Sequence, residues 1–74
     1  MSFAMDSQQI ENTKLVLRGL FYRHCGVMMA HDLHDAGFTD IQELVGLKLI
    51  ARRPGRWDVG FQKGPDLDPV QFSP

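Results

Sequence analysis

A small α+β domain, three helices followed by a two- or three-stranded β-ribbon, is predicted by three observations. Residues 7–25 carry apolar side chains at helical spacing. Residues 39–47 read as a capped helix. Residues 49–61 read as two short strands around the turn pair Pro54-Gly55.

The first helix has Asp6 or Ser7 as its N-cap, since either side-chain oxygen accepts from the free N–H groups of a first turn. Ile10, Thr13, Leu17, Leu20, Phe21 and His24 fall on one side, with Val16 beside them, while Glu11, Lys14, Arg18 and Arg23 fall elsewhere. The helix is expected to stop near Cys25, because Gly26 can take a left-handed conformation. Val27 makes an extended link, and a third short strand could form there. Met28 or Met29 then starts a second helix, with Met29, Ala30, Leu33 and Ala36 inward and His31, Asp32, His34 and Asp35 outward, ended by Gly37.

Thr39 and Gln42 have the spacing of a capping box for the third helix, whose buried side would be Ile41, Leu44, Val45 and Leu47. Residues 49–53 form the next strand. Pro54 fixes φ, Gly55 supplies a positive φ, and the return strand places Trp57, Val59 and Phe61 on one face, against the helices. Residues 63–74 hold three of the four prolines and read as a flexible, extended tail. The expected organisation is therefore a flexible N-terminus over 1–6, a domain over 7–62 and a Pro-rich tail over 63–74.

At 74 residues the chain can build one small domain. It has no apolar run long enough for a membrane span and no signal-peptide pattern at its start, and its one cysteine cannot form an internal disulfide. A cytoplasmic setting is expected. Charge is unevenly spread: −3 over residues 1–46, +4 over 47–63 and −2 over 64–74, which recovers the net −1. The basic block is Lys48, Arg52, Arg53, Arg56 and Lys63, opposed only by Asp58. Such asymmetry orients a charged partner.

The run Leu44-Val-Gly-Leu-Lys-Leu-Ile-Ala-Arg-Arg resembles the end of the third helix and the start of the wing in winged-helix transcription regulators. Leu44, Leu47, Leu49, Ile50 and Arg52 carry the match, and Arg53-Pro54-Gly55-Arg56 would form the wing tip. The resemblance extends over residues 8–61. It implies a helix-turn-helix made of the second and third helices, double-stranded DNA as partner, and contacts from Gln42, Lys48, Arg52, Arg53 and Arg56. Two departures stand out. Lys48 occupies the position usually held by glycine, where the left-handed conformation costs about 1 kcal/mol more. The third helix also presents Asp40 and Glu43, which a phosphate-lined groove repels; Gln42 is its one residue suited to base contact, and the Thr39 capping box would engage it.

A second reading follows from the acids. Asp32, Asp35, Asp40 and Glu43 would give the second and third helices a face suited to a basic protein, or to a nucleic-acid-binding protein complex that a phage or mobile-element protein inhibits. Either charged surface could also be plain solvation, since charged hairpin tips resist edge pairing. The first helix or the Pro-rich tail could supply a homodimer contact. No catalytic set is found: Cys25 and His24 are adjacent and point about 100° apart on a helix. His31, His34 and Asp35 lack the Cys/His complement of a closed zinc site. Neither an enzyme nor a cofactor or metal is expected.

Overall fold

The computed structural model describes residues 6–55 and 60–68. Within them lie α1 (Ser7–Arg23), α2 (Ala30–Asp35), α3 (Ile41–Gly46), β1 (Ile50–Arg52) and β2 (Phe61–Lys63). The strands are antiparallel, with Ile50 opposite Lys63, Ala51 opposite Gln62 and Arg52 opposite Phe61. The described residues are thus α+β, three helices and a two-stranded sheet, an order compatible with a winged helix. Arg56, Trp57 and Val59 fall outside the described residues.

The third extended segment is a single bridge at Met28, one residue beyond the Val27 expected from sequence. Met28 N–H donates to the Phe61 carbonyl at 3.0 Å, and Phe61 N–H donates back to the Met28 carbonyl at 2.7 Å. β2 is therefore the middle of the sheet. Of Met28 and Met29, either of which is expected from sequence to start α2, Met29 is the N-cap and Met28 is fully buried against the ribbon. Gly60 makes the close approach feasible: its φ is +83°, and a Cβ there would lie 2.6 Å from the Met28 carbonyl oxygen.

α1 starts where Asp6 and Gln9 exchange hydrogen bonds. The Asp6 carboxylate accepts from Gln9 N–H at 2.8 Å, and Asp6 N–H donates to the Gln9 side-chain carbonyl at 3.0 Å. All three helices end in the same paired turn. Gly26 N–H donates to Phe21 and Cys25 N–H to Tyr22; Phe38 donates to Leu33 and Gly37 to His34; Leu49 donates to Leu44 and Lys48 to Val45. The residue that goes left-handed is Cys25, Gly37 and Lys48 respectively, with φ of 59°, 98° and 63°. Gly26 also has positive φ, but Cys25 takes the turn position.

Leu17 and Phe21 of α1, Met28, Leu33, Leu44, Leu49, Ile50, Phe61 and Leu67 form the core, with Leu20, Phe38, Ile41, Val45 and Leu47 packed against it. The apolar side of α1 is narrower than expected. Val16 and His24 are exposed, as are Leu15 and Tyr22, the latter 88% accessible.

Residues 63–68, expected to begin a flexible tail, are instead part of the packed structure. Lys63 belongs to β2, and Leu67 is fully buried. Gly64 N–H donates to the Leu49 carbonyl and Asp66 N–H to the Lys48 carbonyl, each at 2.9 Å. Arg18 of α1 donates from Nη1 to the Leu67 carbonyl at 2.8 Å. Only glycine fits at 64, because a Cβ would collide with the Lys48 carbonyl oxygen. Residues 63–68 thus fold back and close the core; residues 69–74 lie outside the described residues.

Two stability measurements check this account. Leu67→Ala should cost about 2–5 kcal/mol in chemical denaturation, comparable with Leu44→Ala and far above an exposed-tail substitution. Lys48→Gly should raise stability by about 1 kcal/mol and the Tm by roughly 4–8 °C in thermal circular dichroism, because glycine removes the cost of the left-handed backbone.

Candidate functional site

Arg52 and Arg53 are exposed at the end of β1, where the strand pairs with the buried Phe61. Arg52 closes β1 and lies on the same face as its cross-strand partner Phe61. Its guanidinium carbon sits 5.4 Å from the Phe61 ring centroid, inside the range of about 6 Å for cation–π attraction. The ring thus steers an exposed cation whose alkyl stem is supported. Arg53 follows immediately; its N–H donates to the Gly60 carbonyl at 3.2 Å, which extends the ladder one residue toward the tip. Arg56 lies outside the described residues. Lys63 is drawn into a 3.7 Å ion pair with Asp68, both about half exposed. Such surface pairs contribute at most about 1 kcal/mol.

Gln42 belongs to α3 and Lys48 to the turn that follows it, before the ribbon. Both are exposed. Gln42 does not cap α3, and the expected Thr39–Gln42 box is not formed. Helix α3 begins at Ile41, so the residue one step later than Thr39 caps it: the Asp40 carboxylate accepts from Glu43 N–H at 3.1 Å. Thr39 and Asp40 are both good capping residues, and the position of the first turn chooses between them. α3 has six residues, about 9 Å of helix, so the surface it can offer a groove is short.

The four acids expected to form one face have separate roles. Asp32 is drawn inward: its carboxylate accepts from Met29 N–H at 3.0 Å and so holds the start of α2. His31 Nε2 lies 3.4 Å from one oxygen and His24 Nδ1 3.9 Å from the other. Asp35 is exposed at the end of α2. Asp40 caps α3, and Glu43 is half-buried one turn further on. Among the described residues no group of three His, Cys, Asp or Glu side chains is placed to hold a metal ion, and no helix is long and apolar enough to cross a membrane.

Sequence reasoning missed an open recess of about 180 Å³ between α1 and the start of α3, lined by Thr13, Gly37, Phe38, Thr39, Asp40, Glu43 and Leu44. Thr13 was readable as an inward-facing α1 residue and Phe38 as an anchor of the turn; their meeting with Asp40 and Glu43 depends on how α1 crosses α3. Comparison with protein-family models, characterised proteins and solved structures finds no match to this chain.

The capping assignment has a direct test. Asp40→Ala should destabilise the protein by about 1 kcal/mol in urea denaturation, with Asp40→Asn close to neutral because asparagine also caps. Thr39→Ala should stay within about 0.5 kcal/mol.

Proposed function

We propose that this chain is a small non-enzymatic module of winged-helix type, working in the cytoplasm, that binds duplex DNA in a transcription-regulatory role. The single observation that carries the reading is the +4 balance of residues 47–63 set against a body of −3, with Arg52 and Arg53 exposed at the end of β1. Arg52, Arg53 and Arg56 hold the phosphate backbone. Lys48 and Gln42 approach the groove. A six-residue α3 with acids in its first turn contributes little base reading, so phosphate contacts dominate affinity and sequence discrimination is modest.

A second reading has its own support. Asp40 and Glu43 stand at the start of α3, where carboxylates repel DNA, and that face suits a basic protein partner, such as a component of a nucleic-acid-binding complex whose action the chain blocks.

Titration of a labelled duplex at several salt concentrations tests the first reading. With three or four phosphates neutralised, log K against log salt should fall with a slope of roughly −3 to −4. Changing Arg52, Arg53 and Arg56 together to alanine should weaken binding by more than about tenfold and flatten the slope by close to three. Absence of binding at low salt, or a triple variant that binds like the parent, removes the DNA reading.

A further inference from the structure

We infer that the outward face of α1 binds α1 of a second copy of this chain, packed antiparallel, with Leu15 of each copy seated on Gly19 of the other. The inference is independent of both functional readings, because it uses no residue of the ribbon or of α3. α1 turns Leu17 and Phe21 into the core. Gln8, Asn12, Leu15, Gly19 and Tyr22 are all exposed on the opposite side. Alternate spacings of four and three residues keep them in one stripe, the pattern of a two-helix seam. Single exposed apolar residues need no explanation. Here Leu15 and Tyr22, 61% and 88% accessible, share the stripe, and Val16, 50% accessible, flanks it.

Gly19 points to a partner independently of the apolar residues. It lies inside a helix of 17 residues, where glycine is the poorest helix former after proline. Backbone geometry does not require it, since the left-handed glycines are Gly26, Gly37 and Gly60. Packing within the chain does not require it either: a Cβ at Gly19 would meet nothing within 4 Å. The fold of one copy thus gives no reason for a residue that weakens its longest helix. Close approach of a second helix does, because glycine leaves a notch that a large side chain can fill.

Complementarity selects a second copy as the occupant. Let two α1 helices lie antiparallel about a two-fold axis at the level of Leu17. Leu15 then meets Gly19 of the other copy, and Asn12 meets Tyr22. One axis satisfies both pairings, each made twice, as an isologous contact requires. Asn12 accepts from Gln8 through Oδ1 at 3.1 Å, which leaves its amide N–H groups to donate to the Tyr22 hydroxyl. A parallel pair would instead set Gly19 on Gly19, leaving a void, and Tyr22 on Tyr22. Charge favours the same choice. The parallel pair brings Arg23 level with Arg23 and Glu11 level with Glu11, whereas the antiparallel pair brings Glu11 level with Arg23 at both ends. At a separation of about one Debye length such charges still act on each other. α1 is about 25 Å long, so the contact is at the small end of specific interfaces and the dimer is reversible.

Sedimentation equilibrium of the full chain, from about 10 μM to about 1 mM, should show a monomer–dimer equilibrium with Kd on the order of 100 μM. Gly19→Gln should raise Kd more than about tenfold, because the longer side chain fills the notch, and should also raise the Tm of the dilute monomer by about 4–8 °C. A glycine with a purely helical role would give the second effect without the first. Leu15→Gln should weaken the dimer to a similar degree. Spin labels on the native, exposed Cys25 should lie roughly 25–30 Å apart in the dimer, against less than about 15 Å in a parallel pair. A chain that stays monomeric at about 1 mM, or a Gly19→Gln variant that dimerises like its parent, overturns the proposal. The short label distance overturns the antiparallel arrangement. A dimer that survives both α1 substitutions and is lost when residues 69–74 are removed also overturns it, by placing the contact in the C-terminal segment.

Discussion

The reciprocal hydrogen bonds between Met28 and Phe61 fasten the ribbon to the helices, and the rest of the domain depends on them. Two three-residue strands do not persist alone in water. Here the second strand bonds on both edges, to β1 on one side and to the α1–α2 connection on the other. That places Phe61 in the core, with Arg52 over its ring. The same aromatic side chain therefore links core packing to the position of the charge that the ribbon offers a partner. Gly60 is the enabling residue, because any side chain there would push Met28 away.

The helices are short, and their ends govern the architecture. Each closes with a left-handed residue and two backbone hydrogen bonds that return the chain sharply. Only α2 uses glycine at that position; α1 uses Cys25 and α3 uses Lys48. Non-glycine residues there cost about 1–2 kcal/mol each. The domain carries that cost because each reversal delivers the chain into its next packed segment: Met28 to β2 after α1, Phe38 to the core after α2, and Leu49 to the core after α3. The reversal after α3 also exposes the Lys48 carbonyl to Asp66 N–H, which draws the C-terminal turn and Leu67 inward.

The charged residues divide along the same lines. Cations collect on the ribbon and anions around the helix starts, where carboxylates have a structural task. Asp6, Asp32 and Asp40 each accept from a backbone N–H in a first turn, favoured by the helix dipole as well. Three acids of the negative body are thus explained by capping, and the acids left for recognition are fewer than a charge count suggests. Glu43 and Asp35 retain carboxylates with no capping role.

The amino-acid sequence by itself determined the element order, the helical faces around Leu17, Phe21, Leu33 and Leu44, the arginine excess beside β1, and the left-handed Lys48. These rest on spacing, on turn chemistry and on charge, all local properties of the chain. The strand register, which pairs Arg52 with Phe61, departs from the tight Pro54-Gly55 hairpin expected from sequence. The tertiary structure alone decided three things. Met28 joined the sheet rather than α2, because its backbone groups found partners on Phe61. Asp40 rather than Thr39 capped α3, because neighbouring residues with equal capping chemistry are separated only by where packing starts the helix. Leu67 entered the core from a Gly-, Pro- and Asp-rich stretch, because Gly64 permits backbone contact with Lys48 and Arg18 anchors the return, neither of which has a signature in local sequence. The recess at Thr13 and Glu43 belongs with these, since its walls come from segments distant in sequence.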